Sequence, residues 1–423
     1  MSASKTTSGT KTIRLYMVTW NVGDMNAPTD CTDLLQLDLD PLPDIYAIGL
    51  QEMTSGVDHV SNDWTKRLTD LLSAKGYFRV KSVRMQAILL VTFVKRADIL
   101  SYTHIESEIS RAGMAGWWGN KGGVSVRFDV NGVNLIIVNA HLAAHTENVK
   151  ERIEDFHTIL DTQKFRDKDV DHILDHDYVF FMGDLNFRLE KVSRNFVERA
   201  ILHNDIKSLM EYDQLLQCME EDLIFVDFEE GKITFPPTFK YDPGTDVYDT
   251  SPKQRVPAYC DRILWFVHED SFENMQLSVK QLSYQSHMSY KLSDHKPVSA
   301  LFELQIYPLP PFPLPVIFEH IKSSTQWKSN GEENVHYKFD ISPNLEHRPD
   351  KWDWIGLYRE NFTSIRDQVA YVYAMQGAKM NSDGCSFVTF RNSSIEPGKY
   401  RLMYISEYKD SMLGMSDVFQ VVS

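Results

Sequence analysis

The sequence predicts an α/β domain followed by a smaller all-β domain, joined by a proline-rich linker. Residues 12–306 alternate apolar, strand-like runs with segments of helical periodicity, whereas residues 316–423 contain short strands separated by turn signals. Residues 307–315 include five prolines, which cannot continue a helix or a central strand. We predict a semi-rigid linker there, with service as a PxxP ligand as the alternative. Residues 1–11 are polar and predict a flexible N-terminus.

Apolar runs bounded by polar residues predict the strands of the first domain. These runs are Ile13–Trp20, Ile45–Leu50, Ile88–Val94, Val124–Phe128, Leu135–Val138, Tyr178–Met182 and Pro297–Phe302. Two segments carry an apolar stripe at helical spacing. One stripe consists of Trp64, Leu68, Leu71 and Leu72, and the other of Val149, Ile153, Phe156, Ile159 and Leu160. Because strands are followed by helices, we expect a layered α/β core.

The second domain shows the alternation of half-buried strands. Val335, Tyr337 and Phe339 alternate with polar residues, Tyr400, Leu402 and Tyr404 do the same, and Pro397-Gly398 marks a turn. This pattern is typical of a small antiparallel sandwich. Because no cluster of polar strand ends appears in this part of the sequence, we interpret the domain as a targeting or interaction module.

The composition indicates a soluble globular chain. Of its 423 residues, 43% are hydrophobic and 24% are charged, which suits two packed domains. No signal peptide is recognisable, and no apolar run approaches the roughly 20 residues that a membrane span needs. The 4 cysteines lack paired spacing, which favours a reducing, cytosolic setting. A net charge of −15 argues against broad nucleic-acid binding but is compatible with a phosphorylated ligand in a local basic pocket.

Polar side chains cluster at the ends of several predicted strands. Asp184 and Asn186 follow the apolar run Tyr178–Met182, and strand alternation predicts that both side chains point to one side. The other strands that end in polar residues finish with Thr19-Trp20-Asn21, Leu50-Gln51-Glu52 and Asn139-Ala140-His141, and Ser293-Asp294-His295 precedes a strand. Packing alone does not account for so many polar strand ends. We therefore predict one site at one edge of a sheet.

These residue types suit the hydrolysis of a phosphate monoester, which requires charge neutralisation, a positioned nucleophile and help for the leaving oxygen. Mg²⁺ prefers oxygen ligands and takes one or two from protein, which Glu52 and Asn21 could provide. Asp184 could accept a hydrogen bond from the attacking water, while the Asn186 amide could donate to a phosphate oxygen. Each residue alone is common as a turn former or a solvated strand-end acid, and their combination carries the interpretation.

Histidines and cations complete the predicted site. His141 and His295 are candidates for contacting phosphate oxygens, and Asp261 could hold the His295 imidazole in its charged form. Lys240, Lys253 and Arg255 lie on what reads as a loop and supply a basic pocket, although such a loop is often merely solvated. Asn120 and Lys121 lie in the glycine-rich stretch 116–123, which could bring backbone N–H groups close to an anion.

Six motifs resemble those of the inositol polyphosphate 5-phosphatases and occur in that family's order between residues 12 and 306. They are Trp20-Asn21-Val22-Gly23, Gln51-Glu52, Trp118-Gly119-Asn120-Lys121-Gly122-Gly123-Val124, Gly183-Asp184-Leu185-Asn186-Phe187-Arg188, Pro257-Ala258-Tyr259-Cys260-Asp261-Arg262 and Ser293-Asp294-His295-Lys296-Pro297-Val298. The C-terminal part, with Trp352-Asp353-Trp354-Ile355-Gly356-Leu357-Tyr358, resembles the SKICH domain. The resemblance implies a DNase I-like four-layer sandwich at 12–306 and an immunoglobulin-like SKICH sandwich at 316–423.

The resemblance also implies roles for individual residues. It supports the pairing of Asp261 with His295 and adds Asp294 to the catalytic group. It assigns Lys240, Lys253 and Arg255 to the phosphate at the inositol 4-position, and Asn120 and Lys121 to the 1-phosphate. Phe239 stands where tyrosine is common, which removes one hydroxyl from that contact, and Tyr259 replaces a frequent tryptophan.

The implied activity is Mg²⁺-dependent hydrolysis of the 5-phosphate of PtdIns(4,5)P2, PtdIns(3,4,5)P3 or soluble inositol phosphates. The implied setting is the cytoplasm with peripheral recruitment to the plasma membrane or endoplasmic reticulum, and the SKICH domain is expected to contact membranes or a protein partner. The apolar residues Met114, Trp117 and Trp118, together with Ile88–Leu90, either reach lipid tails or belong to the core.

The sequence allows three alternative functions. Cys385 and Arg391 satisfy the C-x5-R spacing of thiol phosphatases, but the loop between them lacks glycine and consists largely of strand formers. A nuclease on the same scaffold is disfavoured by the acidic charge and by the lysine-bearing loop. A domain that only binds phosphoinositide or a protein partner requires a damaged site, and all the expected acids and histidines are present.

Overall fold

A computed structural model describes residues 11–53, 63–113, 121–273, 275–306, 315–339, 349–376, 379–380, 385–391, 395–407 and 411–423. Three predictions fall outside these residues. They concern the polar N-terminus up to residue 10, Asn120 with the neighbouring Met114, Trp117 and Trp118, and the proline-rich linker up to residue 314.

The first domain contains two sheets and five α-helices within the described residues. Its strands are β1 (Lys11–Asn21), β2 (Ile45–Gln51), β3 (Tyr77–Met85), β4 (Ile88–Lys95), β5 (Tyr102–Arg111), β6 (Gly122–Val130), β7 (Val133–His141), β8 (Tyr178–Asp184), β9 (Glu229–Glu230), β10 (Asp261–Val267), β11 (Val279–Ser286) and β12 (Val298–Ile306). Its α-helices are α1 (Asp63–Ala74), α2 (Val149–Thr162), α3 (Arg194–Leu202), α4 (Ile206–Met210) and α5 (Gln214–Glu220), and 3-10 helices span Arg96–Ser101 and Ile173–Asp175.

The two sheets have corresponding arrangements. Their strand orders are β11-β12-β1-β2-β4-β3 and β5-β6-β7-β8-β10-β9. Each sheet contains one parallel pair, β1 with β2 in the first and β7 with β8 in the second. The carboxyl ends of a parallel pair lie at the same edge of a sheet. Side chains that follow these four strands can therefore meet where the two edges adjoin.

Apolar residues form a core between the sheets and a second layer outside each sheet. Met17 belongs to the inner core with Phe180, whereas its neighbour Val18 belongs to an outer layer, as the two-residue period of a strand requires. Trp64, Leu68 and Leu72 of α1 cover the first sheet, and Phe156 and Ile159 of α2 cover the second. The result is a four-layer sandwich, and both predicted helices are confirmed.

The apolar run at the start of β4 belongs to the core. Ile88, Leu89 and Leu90 are each completely buried. The alternative in which these three residues reach lipid tails is therefore wrong, because a side chain packed between layers has no exposed surface to offer.

The second domain is a sandwich of two sheets whose strands are mostly antiparallel. Its strands are β13 (Val316–Glu319), β14 (Gln326–Lys328), β15 (Glu332–Phe339), β16 (Trp354–Arg359), β17 (Ala370–Tyr373), β18 (Lys379–Met380), β19 (Ser386–Arg391), β20 (Gly398–Ser406), β21 (Ser411–Met415) and β22 (Phe419–Val422). The sheet orders are β13-β15-β19-β18 and β14-β22-β20-β16-β17, with β21 paired to β20. Cys385 is buried just before β19, and an extended strand between Cys385 and Arg391 cannot form the phosphate cradle of a thiol phosphatase.

The two domains share an apolar interface. Tyr358, Phe362, Met403, Ile405 and Met412 of the second domain belong to the same buried cluster as the inner core of the first domain. The Phe362 ring lies 5.4 Å from the Phe78 ring, measured between centroids. Such continuous burial predicts that the domains behave as one structural unit. Within the described residues, no helix has the length and apolarity that crossing a membrane requires.

Candidate active site

Polar residues from five strands meet at one edge of the first domain. Asn21 pairs with Gln51 at the carboxyl ends of β1 and β2, and His141 pairs with Asp184 at the carboxyl ends of β7 and β8. Asp261 begins the antiparallel strand β10 and lies directly opposite Asp184. The strand ends that the sequence analysis grouped are thus brought together by the register of the two sheets.

Asp184 is the centre of this group. Its Oδ2 atom accepts a hydrogen bond from Asn21 Nδ2 at 2.9 Å, and it lies 3.2 Å from His141 Nε2 and 3.8 Å from His295 Nε2. Burial by itself would raise the pKa of Asp184, but the cationic His295 imidazole opposes this most strongly and, together with contacts from His141 and Lys121, holds that pKa well below its usual range. Asp184 is therefore ionised at neutral pH.

His295 and Asp261 form a buried pair beside Asp184. His295 Nδ1 lies 3.0 Å from Asp261 Oδ2, which also accepts a hydrogen bond from Thr238 Oγ1 at 2.7 Å. Burial alone would lower the pKa of His295, but the Asp261 and Asp184 carboxylates raise it to about 9. His295 is therefore cationic at neutral pH, as expected from its pairing with Asp261.

His141 connects Asp184 to two further members of the site. Lys121 Nζ lies 2.5 Å from His141 Nε2, and Glu52 Oε1 lies 3.8 Å from the same nitrogen. Burial and the Lys121 ammonium lower the pKa of His141, and burial also lowers the pKa of Lys121. This imidazole is thus expected to be neutral, in contrast to that of His295.

Glu52 and Asn21 present oxygen atoms suited to a divalent cation. The Glu52 side chain is 51% exposed, and its backbone adopts a left-handed conformation, with φ of 52°, immediately after β2. Asn21 Oδ1 accepts a hydrogen bond from the Gly23 amide at 3.1 Å, which fixes the carboxamide. Carboxylate and amide oxygens are the ligands that Mg²⁺ and Ca²⁺ prefer, so the residues present fit such an ion.

A second set of potential metal ligands lies nearby. The ligand atoms of Asp184, Asp261 and His295 all lie within 4.8 Å of one another. However, His295 directs Nδ1 to Asp261 and carries a raised pKa, and a protonated imidazole repels a metal ion. We therefore favour Glu52 and Asn21 as the metal ligands.

The position of Asn186 differs from the one that strand alternation predicts. Strand β8 ends at Asp184, and Asn186 has a left-handed backbone with φ of 59°. Its Nδ2 donates to the Leu142 carbonyl at 3.1 Å, and its Oδ1 accepts from Arg188 Nη2 at 2.5 Å. Asn186 thus lies beside Asp184 because of a turn, and one of its amide hydrogens is already engaged.

Arg188 is a member of the site whose role the sequence analysis missed. Its guanidinium carbon lies 4.3 Å from the centroid of the Phe239 ring, and the centroid of the His295 imidazole lies 4.5 Å from the same point. The Phe239 ring therefore contacts two cationic groups, which an aromatic ring attracts. The presence of an arginine in the motif Gly183–Arg188 was the sequence feature that could have indicated this role. Its aromatic partner Phe239, however, is distant in sequence.

The predicted basic loop adjoins the site through Lys240. Lys240 Nζ lies 2.5 Å from Asp294 Oδ2. Burial would raise the pKa of Asp294, but the charges of His295 and Lys240 have the larger effect and lower it. The backbone amide of Arg255 donates to Asp249 Oδ2 at 2.9 Å, and the Asp249 amide donates to the Lys240 carbonyl at 2.9 Å. This network holds the loop that carries Lys253 and Arg255 next to Lys240.

Two polar strand-end residues have a structural role instead. Gln51 Nε2 donates to Asn139 Oδ1 at 2.6 Å, which joins the two sheets, and Asn139 Nδ2 donates to the Leu89 carbonyl at 2.9 Å. Both side chains are fully buried. Tyr259 is buried too, and its hydroxyl donates to the Phe235 carbonyl at 3.1 Å, in keeping with a packing position.

Comparison with known proteins agrees with this fold. Residues 18–301 match the endonuclease/exonuclease/phosphatase family 2, and residues 316–421 match the SKICH domain. The chain is 38% identical over 440 residues to phosphatidylinositol 4,5-bisphosphate 5-phosphatase A of Rattus norvegicus, covering 99% of this chain and 43% of that protein. It is 35% identical over 428 residues to inositol polyphosphate 5-phosphatase K of Mus musculus, covering 97% of this chain and 90% of that protein.

A solved structure extends the comparison to the fold. The inositol polyphosphate 5-phosphatase domain of SPsynaptojanin, in complex with inositol (1,4)-bisphosphate and calcium ion, is 34% identical and superposes with a TM-score of 0.64. The match covers 70% of this chain and 86% of that one. The predicted fold class is confirmed.

The chain therefore belongs to the endonuclease/exonuclease/phosphatase family and, within it, to the inositol polyphosphate 5-phosphatases that carry a SKICH domain. It spans 43% of the length of phosphatidylinositol 4,5-bisphosphate 5-phosphatase A.

Proposed function

We propose that this chain is a Mg²⁺-dependent phosphatase that removes the 5-phosphate from phosphoinositides or soluble inositol phosphates. The observation that carries the proposal is the convergence of Asn21, His141 and His295 on the buried Asp184 carboxylate. The names of the relatives support the substrate class. Phosphatidylinositol 4,5-bisphosphate and inositol polyphosphates appear in them, and the related synaptojanin domain binds inositol (1,4)-bisphosphate.

The reaction cleaves the P–O bond to the inositol oxygen. Water adds its hydroxyl to the phosphorus to form inorganic phosphate, and its remaining proton ends on the inositol oxygen, which leaves as a hydroxyl group. Asp184 is ionised and can accept a hydrogen bond from that water. Because its pKa is held low, it is better suited to orienting the water than to removing a proton completely. The cationic His295 can donate from Nε2 to a phosphate oxygen, where negative charge is greatest.

The metal and the remaining residues neutralise and position the substrate. Glu52 and Asn21 would hold Mg²⁺, which supplies charge neutralisation at the phosphate when it is bound. Lys240, Lys253 and Arg255 are proposed to bind the 4-phosphate, and Lys121 with Asn120 the 1-phosphate. A neutral His141 would complete the contacts beside Lys121.

The related lipid phosphatases suggest where the enzyme acts. We propose a cytoplasmic protein that contacts the plasma membrane or the endoplasmic reticulum peripherally, with the SKICH domain contributing to recruitment. The domain division at residues 12–306, 307–315 and 316–423 is part of this proposal.

Phosphate release from a panel of lipid and soluble inositol phosphates tests the proposed function. PtdIns(4,5)P2, PtdIns(3,4,5)P3, soluble inositol phosphates and the 4-monophosphate lipid are each incubated with Mg²⁺, with or without EDTA, and the product position is identified. We expect release only from substrates with a 5-phosphate and its loss in EDTA. Release from the 4-position, or equal turnover in EDTA, would contradict the proposal, and cleavage of a plasmid would indicate a nuclease.

A further inference from the structure

A pocket of about 570 Å³ on the second domain is walled by aromatic rings. Its lining residues are Trp352, Trp354, Gln368, Tyr371, Tyr373 and Glu407. Within the described residues, Tyr371 and Trp352 are among the most exposed large hydrophobic side chains, at 53% and 48%. Exposed rings of this size are unusual outside binding surfaces, because their burial is favourable.

Strand register explains how the rings come together. Tyr371 and Tyr373 are two residues apart on β17 and share one face, and Trp354 lies opposite Tyr373 on the neighbouring strand β16. A Cβ atom at Gly356 would lie only 2.8 Å from the Trp354 ring and 2.5 Å from the Tyr358 ring. Glycine at this position therefore leaves the space that these two rings occupy.

The rings stand nearly perpendicular to one another and form walls. Interplanar angles are 70° between Trp352 and Tyr373, 89° between Tyr373 and Tyr371, and 74° between Tyr371 and Trp354. The corresponding centroid distances are 5.8 to 5.9 Å. Aromatic rings thus line this space on several sides, and the negative face of an aromatic ring attracts a cation.

Charge at the pocket favours a cation as well. The exposed Glu407 carboxylate lies at the rim and accepts a hydrogen bond from Trp354 Nε1 at 3.2 Å. Lys351 Nζ already lies 5.2 Å from the centroid of the Trp352 ring, so this aromatic surface accommodates an ammonium group of the chain itself. An anionic ligand would meet an acid and electron-rich rings.

The pocket continues from the interface between the domains. Trp354 packs against the apolar cluster that the two domains share. Ile405, which lies opposite Trp354 on the neighbouring strand β20, belongs to the same cluster. The second domain contacts the first at Phe78 and Arg79, near the start of β3. This part of β3 pairs with the last residues of β4, which lie farthest from the catalytic edge. The pocket therefore has a fixed position, on a domain attached at the opposite end of the strands from Asp184.

Strand β17 also offers a sheet edge. It is the last strand of its sheet, and its pairing within the described residues is with β16. An extended peptide can add to such an edge, and an alternate side chain of that peptide can then enter a neighbouring pocket.

We propose that this aromatic pocket is a docking site for an extended basic segment of a partner protein, with an arginine or lysine side chain inserted between the rings. A protein occupant is favoured over a choline headgroup for two reasons. The sheet edge beside the pocket suits a peptide backbone, and the pocket lies on the domain attached away from the catalytic edge, which faces the phosphoinositide substrate if the proposed function holds.

Calorimetric titration of the full chain tests this inference. The probes are an acetylated and amidated peptide Thr-Val-Thr-Arg-Thr-Val-Thr, the same peptide with glutamate in place of arginine, and phosphatidylcholine vesicles. Three variants are compared with the original chain: Tyr371→Ala removes one wall, Glu407→Gln removes the rim charge while keeping an acceptor for Trp354, and Glu332→Gln changes an exposed acid on the other sheet.

The arginine peptide should bind saturably, and the glutamate peptide should bind at least tenfold more weakly. Tyr371→Ala and Glu407→Gln should each weaken arginine-peptide binding about three- to fivefold, as expected for loss of one cation–π or ionic contact at an exposed site. Glu332→Gln should have no effect, and all three variants should retain phosphatase activity. Equal binding of the two peptides, absence of binding, or unchanged affinity in both pocket variants would overturn the proposal. Vesicle binding that depends on Tyr371 without peptide binding would identify a lipid occupant and would also overturn it.

Discussion

His295 Nδ1 lies 3.0 Å from Asp261 Oδ2, and both residues are buried beside Asp184. This pair makes His295 a cation in a place where a free imidazole would be neutral. The consequence is measurable both as a pKa and as a dependence of folding stability on pH.

The pKa of His295 is raised from 6.5 to about 9, so the folded state binds this proton more tightly than the unfolded state. The resulting stabilisation is fully present below pH ~6.5 and is lost as the pH rises through about 9, and it amounts to ~3 kcal/mol. Urea unfolding of the original chain and of His295→Asn is measured at several pH values. The difference between their unfolding free energies gives the contribution of the His295 proton. A stability difference independent of pH between 6 and 9.5, or an NMR-measured pKa near 6.5, would refute the pairing.

Replacing Glu52 with glutamine should weaken the metal site without weakening the fold, since the side chain is 51% exposed. A neutral amide is a poorer ligand for Mg²⁺ than a carboxylate. We expect the Mg²⁺ concentration for half-maximal activity to rise about tenfold or more, and the melting temperature to change by less than about 2 °C. The matched control is Glu147→Gln, an exposed acid outside the site. An unaltered Mg²⁺ dependence in Glu52→Gln would remove it from the ligand set.

Arg188 is expected to act by positioning Asn186 and Phe239. Arg188→Lys keeps the charge but loses the planar fork that contacts the Asn186 carbonyl and Oδ1 together. We expect kcat to fall about ten- to a hundredfold with little change in KM, because the site loses alignment rather than substrate contacts. Arg199→Lys, on the exposed side of α3, serves as the control. A change confined to KM would mean that Arg188 binds substrate directly.

Phe362 tests the coupling of the two domains. Its side chain is 3% exposed and packs on Phe78 of the first domain. Phe362→Ala should cost about 3–5 kcal/mol of unfolding free energy, whereas Phe196→Ala, at 40% exposure, should cost much less. Chemical denaturation followed by circular dichroism provides both values. If the interface is insignificant, the two variants will differ little.

Most of the first-domain strands that the sequence predicted are buried on both faces, although strand β10 was missed despite its buried residues. Every residue of β2 and β8 is buried, so an apolar run identifies them without ambiguity. Strands β5 and β11 were missed because they expose polar residues along much of their length. In sequences such as Tyr102–Arg111, apolar and polar residues alternate only weakly. Such segments become strands because they pair with a buried neighbouring strand.

The site was predictable in residue type but not in all its geometry. Polar strand ends identified Asn21 and Asp184 because parallel strands bring their carboxyl ends to one edge. They also identified His295, which precedes β12, because the antiparallel pairing of β12 with β1 brings the start of β12 to the same edge. The left-handed turn at Asn186 and the stacking of Arg188 on Phe239 depend on partners far along the chain, and local periodicity carries no information about them. The shared core between Phe78 and Phe362 was hidden for the same reason.

The most direct test of the account compares the original chain with Asp184→Asn on PtdIns(4,5)P2 in the presence of Mg²⁺. The variant keeps the size of the side chain but removes the charge around which Asn21, His141 and His295 are arranged. We predict that the original chain releases phosphate and leaves the 4-monophosphate lipid, and that Asp184→Asn lowers kcat at least about a hundredfold while remaining folded by circular dichroism. Turnover within tenfold of the original in a folded variant would contradict the central role of Asp184.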